Sequence, residues 1–337
     1  MAHNIGQMFY YGKRPWHDLG EWLEKPANLE EALKAGGLDW EVAFADIALK
    51  DDPKQSIPQR RALVRQDRKP GDADRVVGVV HPDFVPLQNR TGAEMFDRLM
   101  GRGERVYHTG GYLKNGEVIW LMARLPEDIL LNGEDVVRPY LLFTNSHDGS
   151  VGINIRLTTI RVVCNNTLSM ALNEKCAHVF RRAHRHSTAS LQQQAGEFLQ
   201  FTSKQIQETT ALFNRLATEP CDDAAFAQFL NQLMPDPKQP AKQPDIANTM
   251  ARKAWVTRCQ NLQQDRARIL QIRNQGIPQQ SIPGDEKTWW GAVNAITAWV
   301  DHVQEIKGSR YANNLFGAGD KLKTRALIKA QETVQVK

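Results

Sequence analysis

Cysteine is scarce in this chain, and its spacing argues against the usual cysteine-based sites. Only four cysteines occur among the 337 residues, at positions 164, 176, 221 and 259. No two of them form a C-x-x-C pair, which disfavours a structural zinc site. We therefore interpret them as free thiols of a protein that works in a reducing compartment.

Membrane and export segments are also missing from the sequence. No apolar run approaches the roughly 18 residues that a membrane-spanning helix needs. The first ten residues, MAHNIGQMFY, contain no basic stretch followed by an apolar one, so they do not resemble a secretory signal. These observations predict a cytoplasmic protein without a membrane partner.

The sequence lacks the motifs of nucleotide-driven chemistry. It contains neither G-x-x-x-x-G-K-[ST] nor G-x-G-x-x-G. The acidic pairs at 51–52 and 222–223 fall in a predicted loop and at a predicted helix start, which is unlike a two-metal nuclease site. We expect no cofactor, no metal ion and no enzymatic activity.

The chain is mildly basic, with 43 Lys and Arg against 38 Asp and Glu. A net charge of +5 is common in unrelated soluble proteins, so the clustering of charge is more informative than the total. The segment from Lys175 to His186 contains no acidic residue and is rich in bases and histidines: Lys175, His178, Arg181, Arg182, His184, Arg185 and His186.

The sequence before this basic segment predicts two strands joined by a turn. Residues 140–144 form a short apolar run, and Asp148-Gly149 is typical of a hairpin turn. Apolar and polar residues alternate from Val151 to Ile160, so one face is apolar and the other carries Asn154 and Arg156. The strand is expected to continue past Arg161 to Cys164, and Asn165 begins a predicted cap for a short helix over 168–172. A sheet with a cationic face that leads into a basic segment favours a phosphate-rich ligand.

The whole pattern predicts the α+β class. An antiparallel meander of about four to six strands is expected, with Asn115-Gly116 and Asn132-Gly133 as hairpin turns and a helix on either side. We predict two regions, an α+β domain over 1–186 and a helical region over 187–337 with a proline-rich loop at 235–244. Predicted helices cover the following ranges: 29–35, 92–100 with Thr91 as cap, 191–217, 223–234, 245–275, 288–307 and 320–336.

Several groups allow more than one interpretation. His147-Asp148 invites a catalytic or metal-binding reading, but adjacent residues in a turn point apart, so a structural turn or a contact to phosphate or base fits better. The histidines of the basic segment are flanked by arginines, which disfavours a divalent cation and leaves a solvated segment or a nucleic-acid contact. The aromatic N-terminal arm, residues 1–24, either packs on the body or forms a stacking strip for bases or a neighbouring subunit.

The predicted helix 288–307 bears on assembly. One stripe carries Trp289, Val293, Ile296, Trp299 and Val303, and the opposite side, with Trp290 and three alanines, has little charge. A helix that is apolar most of the way round is covered on more than one side. Either the chain itself covers both faces or a neighbouring subunit completes one of them.

Several blocks together resemble the phage- and plasmid-associated proteins grouped as domain-of-unknown-function family 932. The resemblance covers nearly the whole chain and is carried by these residues: 85–89 (VPLQN), 139–142 (PYLL), 145–150 (NSHDGS), 161–168 (RVVCNNTL), 290–297 (WGAVNAIT) with 300–302 (VDH), and 315–317 (LFG) with 321–323 (KLK). The family name states no activity. What the resemblance implies is a mobile-element setting, in which single-strand annealing proteins with a small antiparallel sheet and a basic groove are common.

We therefore predict an oligomeric, ATP-independent protein that binds and anneals single-stranded DNA, with RNA as the alternative ligand. A structural or regulatory interaction protein, such as an inhibitor of a host system, is the alternative, followed by a nuclease or other hydrolase that uses His147 and Asp148. Arginines would neutralise the phosphates of the nucleic-acid backbone. Aromatic rings, Tyr107 among them, would stack with the bases. The predicted nucleic-acid-binding residues are Arg156, Arg161, Lys175, Arg181, Arg182, Arg185, His147, Asn165, Tyr112 and Trp120.

Overall fold

A computed structural model describes most of the chain. The described residues are 5–12, 20–99, 106–131, 135–161, 167–169, 179–184, 202–240, 246–275, 287–306, 310, 313–314 and 317–335. Strands dominate the first part and helices the second, which confirms the predicted α+β class. The chain divides into two units, and each is treated by itself. Unit 1 comprises residues 1–128, 138–158 and 177–206, and unit 2 comprises 129–137, 159–176 and 207–337.

The division into units is discontinuous, whereas the sequence predicted two contiguous regions. The strands are β1 Ile5–Tyr11, β2 Glu21–Leu23, β3 Val42–Ala48, β4 Ser56–Arg65, β5 Val76–Val80, β6 Val106–Leu113, β7 Val118–Arg124, β8 Ile129–Leu131, β9 Asp135–Ser146, β10 Ile153–Arg161, β11 Thr167–Ser169 and β12 Val179–Arg182. β9 and β10 each begin in one unit and end in the other.

The main sheet of unit 1 has the order β12-β10-β9-β7-β6-β1-β2. Its pairs are antiparallel except for β1 with β2, which run parallel. Phe9 in β1 is fully buried, so this part of the N-terminal arm packs into the body, while Trp22 is 54% exposed and donates its Nε1 hydrogen to the Gly12 carbonyl. The predicted hairpin at Asn115-Gly116 is confirmed between β6 and β7.

A second sheet in unit 1 has the order β3-β4-β5. It meets the turn after β9 at Gly78, where an added Cβ would lie 2.2 Å from the His147 carbonyl oxygen. Only glycine therefore allows this approach between β5 and the turn. The small sheet thus fixes the position of the residues that follow β9.

Two helices cover one face of the main sheet. Helix α1, Leu29–Ala35, has the predicted bounds; Asn28 caps its N-terminus, and Glu31 completes a capping box. Helix α2, Asn89–Leu99, begins before the predicted cap at Thr91. Its Phe96 stacks on Phe143 of β9 with the ring centroids 5.7 Å apart.

Unit 2 consists mainly of helices, with a few short strands. Its helices are α3 Thr202–Thr218, which begins at the end of unit 1, α4 Asp223–Leu233, α5 Ile246–Gln275, α6 Trp289–Ala298 and α7 Ala318–Gln335. The predicted hairpin strands of unit 2 are confirmed as the β8–β9 pair. The predicted helix over 168–172 is wrong where the structure describes it, because residues 167–169 form a strand, and residues 170–172 and 191–201 lie outside the described ranges.

The predicted helix 288–307 ends earlier than expected. Every residue of α6 is buried, and Trp290 packs against Phe213 of α3 at 4.7 Å between ring centroids. The chain itself therefore covers this helix on all sides. A π-helical turn, Trp299–Val303, follows α6 and carries Asp301, whose carboxylate accepts a hydrogen bond of 2.7 Å from Lys323 Nζ in a buried ion pair.

Candidate nucleic-acid interface

The predicted basic segment joins the main sheet as an extra strand. β12 pairs antiparallel with β10, so that Ile153 lies opposite Arg182, Asn154 opposite Arg181, and Arg156 opposite Val179. Alternation places Ile153 and Ile155 in the core, both almost fully buried, and leaves Asn154 and Arg156 half-buried on the other face. The two basic stretches singled out in the sequence are thus neighbours in unit 1.

A cavity of about 340 Å³ opens beside the end of β12. This volume is at the lower end of the range of small-ligand sites. One side is formed by the turn between β9 and β10, and another by the extended segment that precedes α2. The lining residues are His81, Asp83, Phe84, Gly149, Ser150, Gly152, Arg182, Ala183 and His184.

His184 holds the end of β12 against the extended segment. The Val85 amide donates to the His184 carbonyl at 2.7 Å, and His184 Nδ1 lies 3.2 Å from the Val85 carbonyl oxygen. The His184 ring also stacks on Phe84, with the centroids 4.3 Å apart. Burial lowers the pKa of His184, so the ring is a mainly neutral, flat surface at the cavity rather than a fixed cation.

His147 is a structural residue of the turn. It is fully buried, tilted against Trp40, and its Nε2 lies 2.8 Å from Asn89 Oδ1. The Asn89 amide nitrogen donates to the carbonyls of Leu38 and Trp40, so Oδ1 must face His147 and accept its Nε2 hydrogen. Burial lowers the pKa of His147 to about 3, and the ring is therefore neutral.

The residues around His147 connect three parts of unit 1. Gln88 exchanges hydrogen bonds of 2.9 Å with both backbone groups of Val42, and Asn145 donates to the Leu87 carbonyl. Together with Asn89, these amides tie β3, the start of α2 and the end of β9 to one another. The VPLQN and NSHDGS blocks of the sequence are thus tied together next to the cavity, which Gly149 and Ser150 of the second block line.

Asp148 shapes the rim of the cavity. Its Oδ1 accepts hydrogen bonds from the Ser150 amide at 2.9 Å and from the Ser150 hydroxyl at 2.6 Å. Gly149 between them has a φ of +75°, which glycine adopts without strain. Because His147 bonds to Asn89 while Asp148 bonds to Ser150, these neighbours do not form a catalytic pair in the structure.

The predicted site residues do not all lie at this surface. Arg182 lines the cavity, Arg156 is in the neighbouring strand, and Arg161 and Arg181 lie in β10 and β12, although their side chains are outside the described part. Lys175, Arg185 and Asn165 fall outside the described residues. His147, Tyr112, Trp120 and Tyr107 are buried, so their rings do not face solvent as stacking with a base would require.

The sequence interpretation missed the other side of the cavity. His81, Asp83 and Phe84 lie in the extended segment before α2, and none of them is among the predicted site residues; His81 Nδ1 lies 3.3 Å from an Asp83 carboxylate oxygen. The signal that was available is the aromatic residue Phe84 directly before the VPLQN block. Its contact with His184, 100 residues later, could not be read from local patterns.

A second polar cluster was also missed, on the main sheet of unit 1. Arg124 donates to both Asp128 carboxylate oxygens at 2.9 and 3.0 Å, and Arg138 Nε lies 3.7 Å from the same carboxylate. His108 lies beside them, with its ring centroid 5.1 Å from that of Tyr140. Burial, reinforced by the two arginines, lowers the pKa of His108 to about 4.

We also searched the described part of the chain for metal-binding clusters and membrane-spanning helices. Within it, no three His, Cys, Asp or Glu side chains come together as a metal site would need. No described helix has both the length and the apolar character that crossing a bilayer requires.

Comparison with known proteins gives one result. The sequence matches the family described as Domain of unknown function (DUF932) over residues 76–331, and the chain belongs to this family. The match includes the turn after β9, β12 and almost all of unit 2. Neither the curated proteins nor the solved structures contain a significant match.

Proposed function

We propose that this member of the DUF932 family binds single-stranded nucleic acid without ATP, and that it acts as an oligomer that anneals strands for a phage or plasmid. The observation that carries the proposal is the cavity at the end of β12, where an arginine, two histidines and an aromatic ring surround a space of about 340 Å³. Cationic and aromatic groups side by side are the combination that single-strand binding uses.

Each part of the cavity has a role in this proposal. Arg182 attracts a backbone phosphate through its guanidinium. The ring of Phe84, stacked on that of His184, offers an apolar surface for one base. Binding that depends on phosphate and on the face of a base is tolerant of sequence, as annealing requires.

The β10–β12 pair extends the interface beyond the cavity. The register pairs Arg182 with Ile153 and Arg181 with Asn154, so Arg182 and Arg156 take opposite faces of the sheet and basic residues occur on both faces of the β10–β12 pair. A β-strand rises about 3.3 Å per residue, and a cationic surface of several residues therefore spans more than one phosphate. Annealing of complementary strands would require several such surfaces, which is why the proposal includes an oligomer.

The proposal is tested with two substitutions at the cavity. Arg182→Gln should lower the salt slope of binding to an oligothymidylate by about 0.7, the value of one phosphate contact. Phe84→Leu keeps an apolar side chain but removes the ring, and should weaken binding by about 1–3 kcal/mol. Both effects are measured by fluorescence anisotropy over a series of salt concentrations.

The control is Arg60→Gln, which removes the same charge from an exposed position on β4. It should keep the slope and the affinity of the parent protein. Parent-like binding of both cavity variants would place the interface elsewhere, and failure of the parent protein to bind oligothymidylate at low salt would refute the function itself.

A further inference from the structure

One helix carries the whole excess of positive charge of the chain. Helix α5, Ile246–Gln275, contains six of the 43 Lys and Arg residues and one of the 38 Asp and Glu residues. The remaining sequence is therefore electrically balanced, with equal numbers of basic and acidic residues. The six basic residues are Arg252, Lys253, Arg258, Arg266, Arg268 and Arg273, and the single acid is Asp265.

The C-terminal half of α5 uses its arginines inside unit 2. Arg266 contacts Asp236 at 2.9 Å, and Arg268 lies 3.8 Å from Glu305. Arg273 is fully buried, with its guanidinium 4.3 Å from the centre of the Phe226 ring and 3.1 Å from Asp223. These three cations are neutralised by residues that pack against the helix.

The N-terminal half of α5 differs. Arg252, Lys253 and Arg258 are exposed, and no acidic group among the described residues lies within 4 Å of any of them. Trp255 anchors this half through its Nε1 hydrogen, which it donates to the Pro237 carbonyl at 2.9 Å. The helix is thus held in place while its cations face solvent.

Apolar side chains of the same half are exposed as well. Met250 is 70% exposed and Val256 is 40% exposed. The helix has no apolar stripe that would bury them, since most of its positions between 250 and 264 are exposed. Exposed cations interleaved with exposed apolar groups form the kind of surface that contacts both the phosphates and the bases of a flexible strand.

We propose that residues 250–260, here called the α5 basic surface, are a docking surface for the backbone of single-stranded nucleic acid. The inference rests on the proposed function and extends it to unit 2. Arg252, Lys253 and Arg258 lie within about 9 Å along the helix axis and are spread around it at about 100° per residue, so a flexible strand that wraps this exposed half of the helix can meet all three. A second copy of the chain is a poor occupant, because two such surfaces would bring six cations together.

The test removes the three cations without adding charge. The variant Arg252→Gln, Lys253→Gln, Arg258→Gln should lower the salt slope for oligothymidylate by roughly 2, about 0.7 for each contact. The matched control, Lys238→Gln, Lys321→Gln, Arg325→Gln, removes three exposed cations elsewhere in unit 2. It should leave the slope at the parent value, and circular dichroism should be the same for all three proteins.

A second measurement uses the unaltered protein. Oligonucleotides that contain 5-iodouracil, cross-linked by light and mapped by mass spectrometry, should mark the peptide around Trp255. Absence of cross-links in 246–260, or a triple variant whose slope equals that of the control, would overturn the α5 basic surface and leave the proposed function standing.

Two further outcomes concern the ligand. Polyglutamate that competes as well as oligothymidylate would identify a site for acidic proteins and overturn the nucleic-acid inference. A parent protein that does not bind oligothymidylate at 50 mM salt would refute the proposed function together with the inference, and this result is distinct from a selective failure of the α5 variant.

Discussion

Acid should destabilise unit 1 through its buried histidines. His147 and His108 are neutral in the folded protein, since burial lowers their pKa values to about 3 and about 4. In the unfolded chain both titrate near 6.5. A folded state that binds fewer protons than the unfolded state is fully stable above that value and loses free energy of unfolding as the pH falls.

The size of the effect follows from these values. Each unit of difference in pKa corresponds to about 1.4 kcal/mol. Protonation of each histidine in the unfolded chain should therefore lower the free energy of unfolding by about 2 kcal/mol between pH 8 and pH 5. The two together should remove about 4 kcal/mol. His147 has a further reason to stay neutral, because among the described residues its buried Nδ1 has no hydrogen-bond partner that could accept a proton from it.

Hydrogen exchange as a function of urea concentration measures this effect. A peptide from the end of β9 reports the free energy of unfolding of unit 1 alone. His147→Gln should remove about half of the loss between pH 8 and pH 5, and His108→Gln should remove a similar share. A His147→Gln protein that loses as much free energy as the parent would show that this imidazole is not held neutral.

Substitutions at three places in the structure test the packing. Lys323→Met should destabilise unit 2 by about 3–5 kcal/mol, because it leaves the Asp301 charge buried alone, and Asp301→Leu in addition should restore most of the loss in a urea melt. Gly78→Ala should destabilise unit 1 by about 1–3 kcal/mol, since its Cβ overlaps the turn, and an unchanged melting temperature would contradict the contact. Trp290→Asp should reduce the helical circular dichroism, because the ring is buried inside the chain; intact helicity with a lower mass in light scattering would instead indicate a subunit contact.

Local chemistry predicted much of the fold. The helix over 29–35 has the expected bounds, and Asn115-Gly116 makes the expected hairpin. The predictions were wrong where contacts between residues far apart in the sequence determine where a helix begins or ends. α2 begins at Asn89 because that side chain bonds to distant carbonyls and to His147, and the helix after Thr288 changes to a π turn where Asp301 reaches Lys323.

The candidate site was predictable only in part. Basic residues near β10 and β12 were visible in the sequence, but the cavity also needs Phe84, which a strand register and a bond between Val85 and His184 bring close. Trp120 was chosen as a stacking residue because it is aromatic, and the sheet buries it. The charge of α5 was present in the sequence as well, yet only the exposure of Arg252 and its neighbours shows which cations are available.

The central claim is that single-stranded nucleic acid is the ligand, and one measurement tests it most directly. Binding of the parent protein to single-stranded and double-stranded DNA of equal length is followed while salt is raised from 50 to 300 mM. The account predicts tighter binding to the single strand at every salt concentration, with a linear fall of log K against log salt. Equal binding of the two forms, or no binding to either at 50 mM, would contradict it.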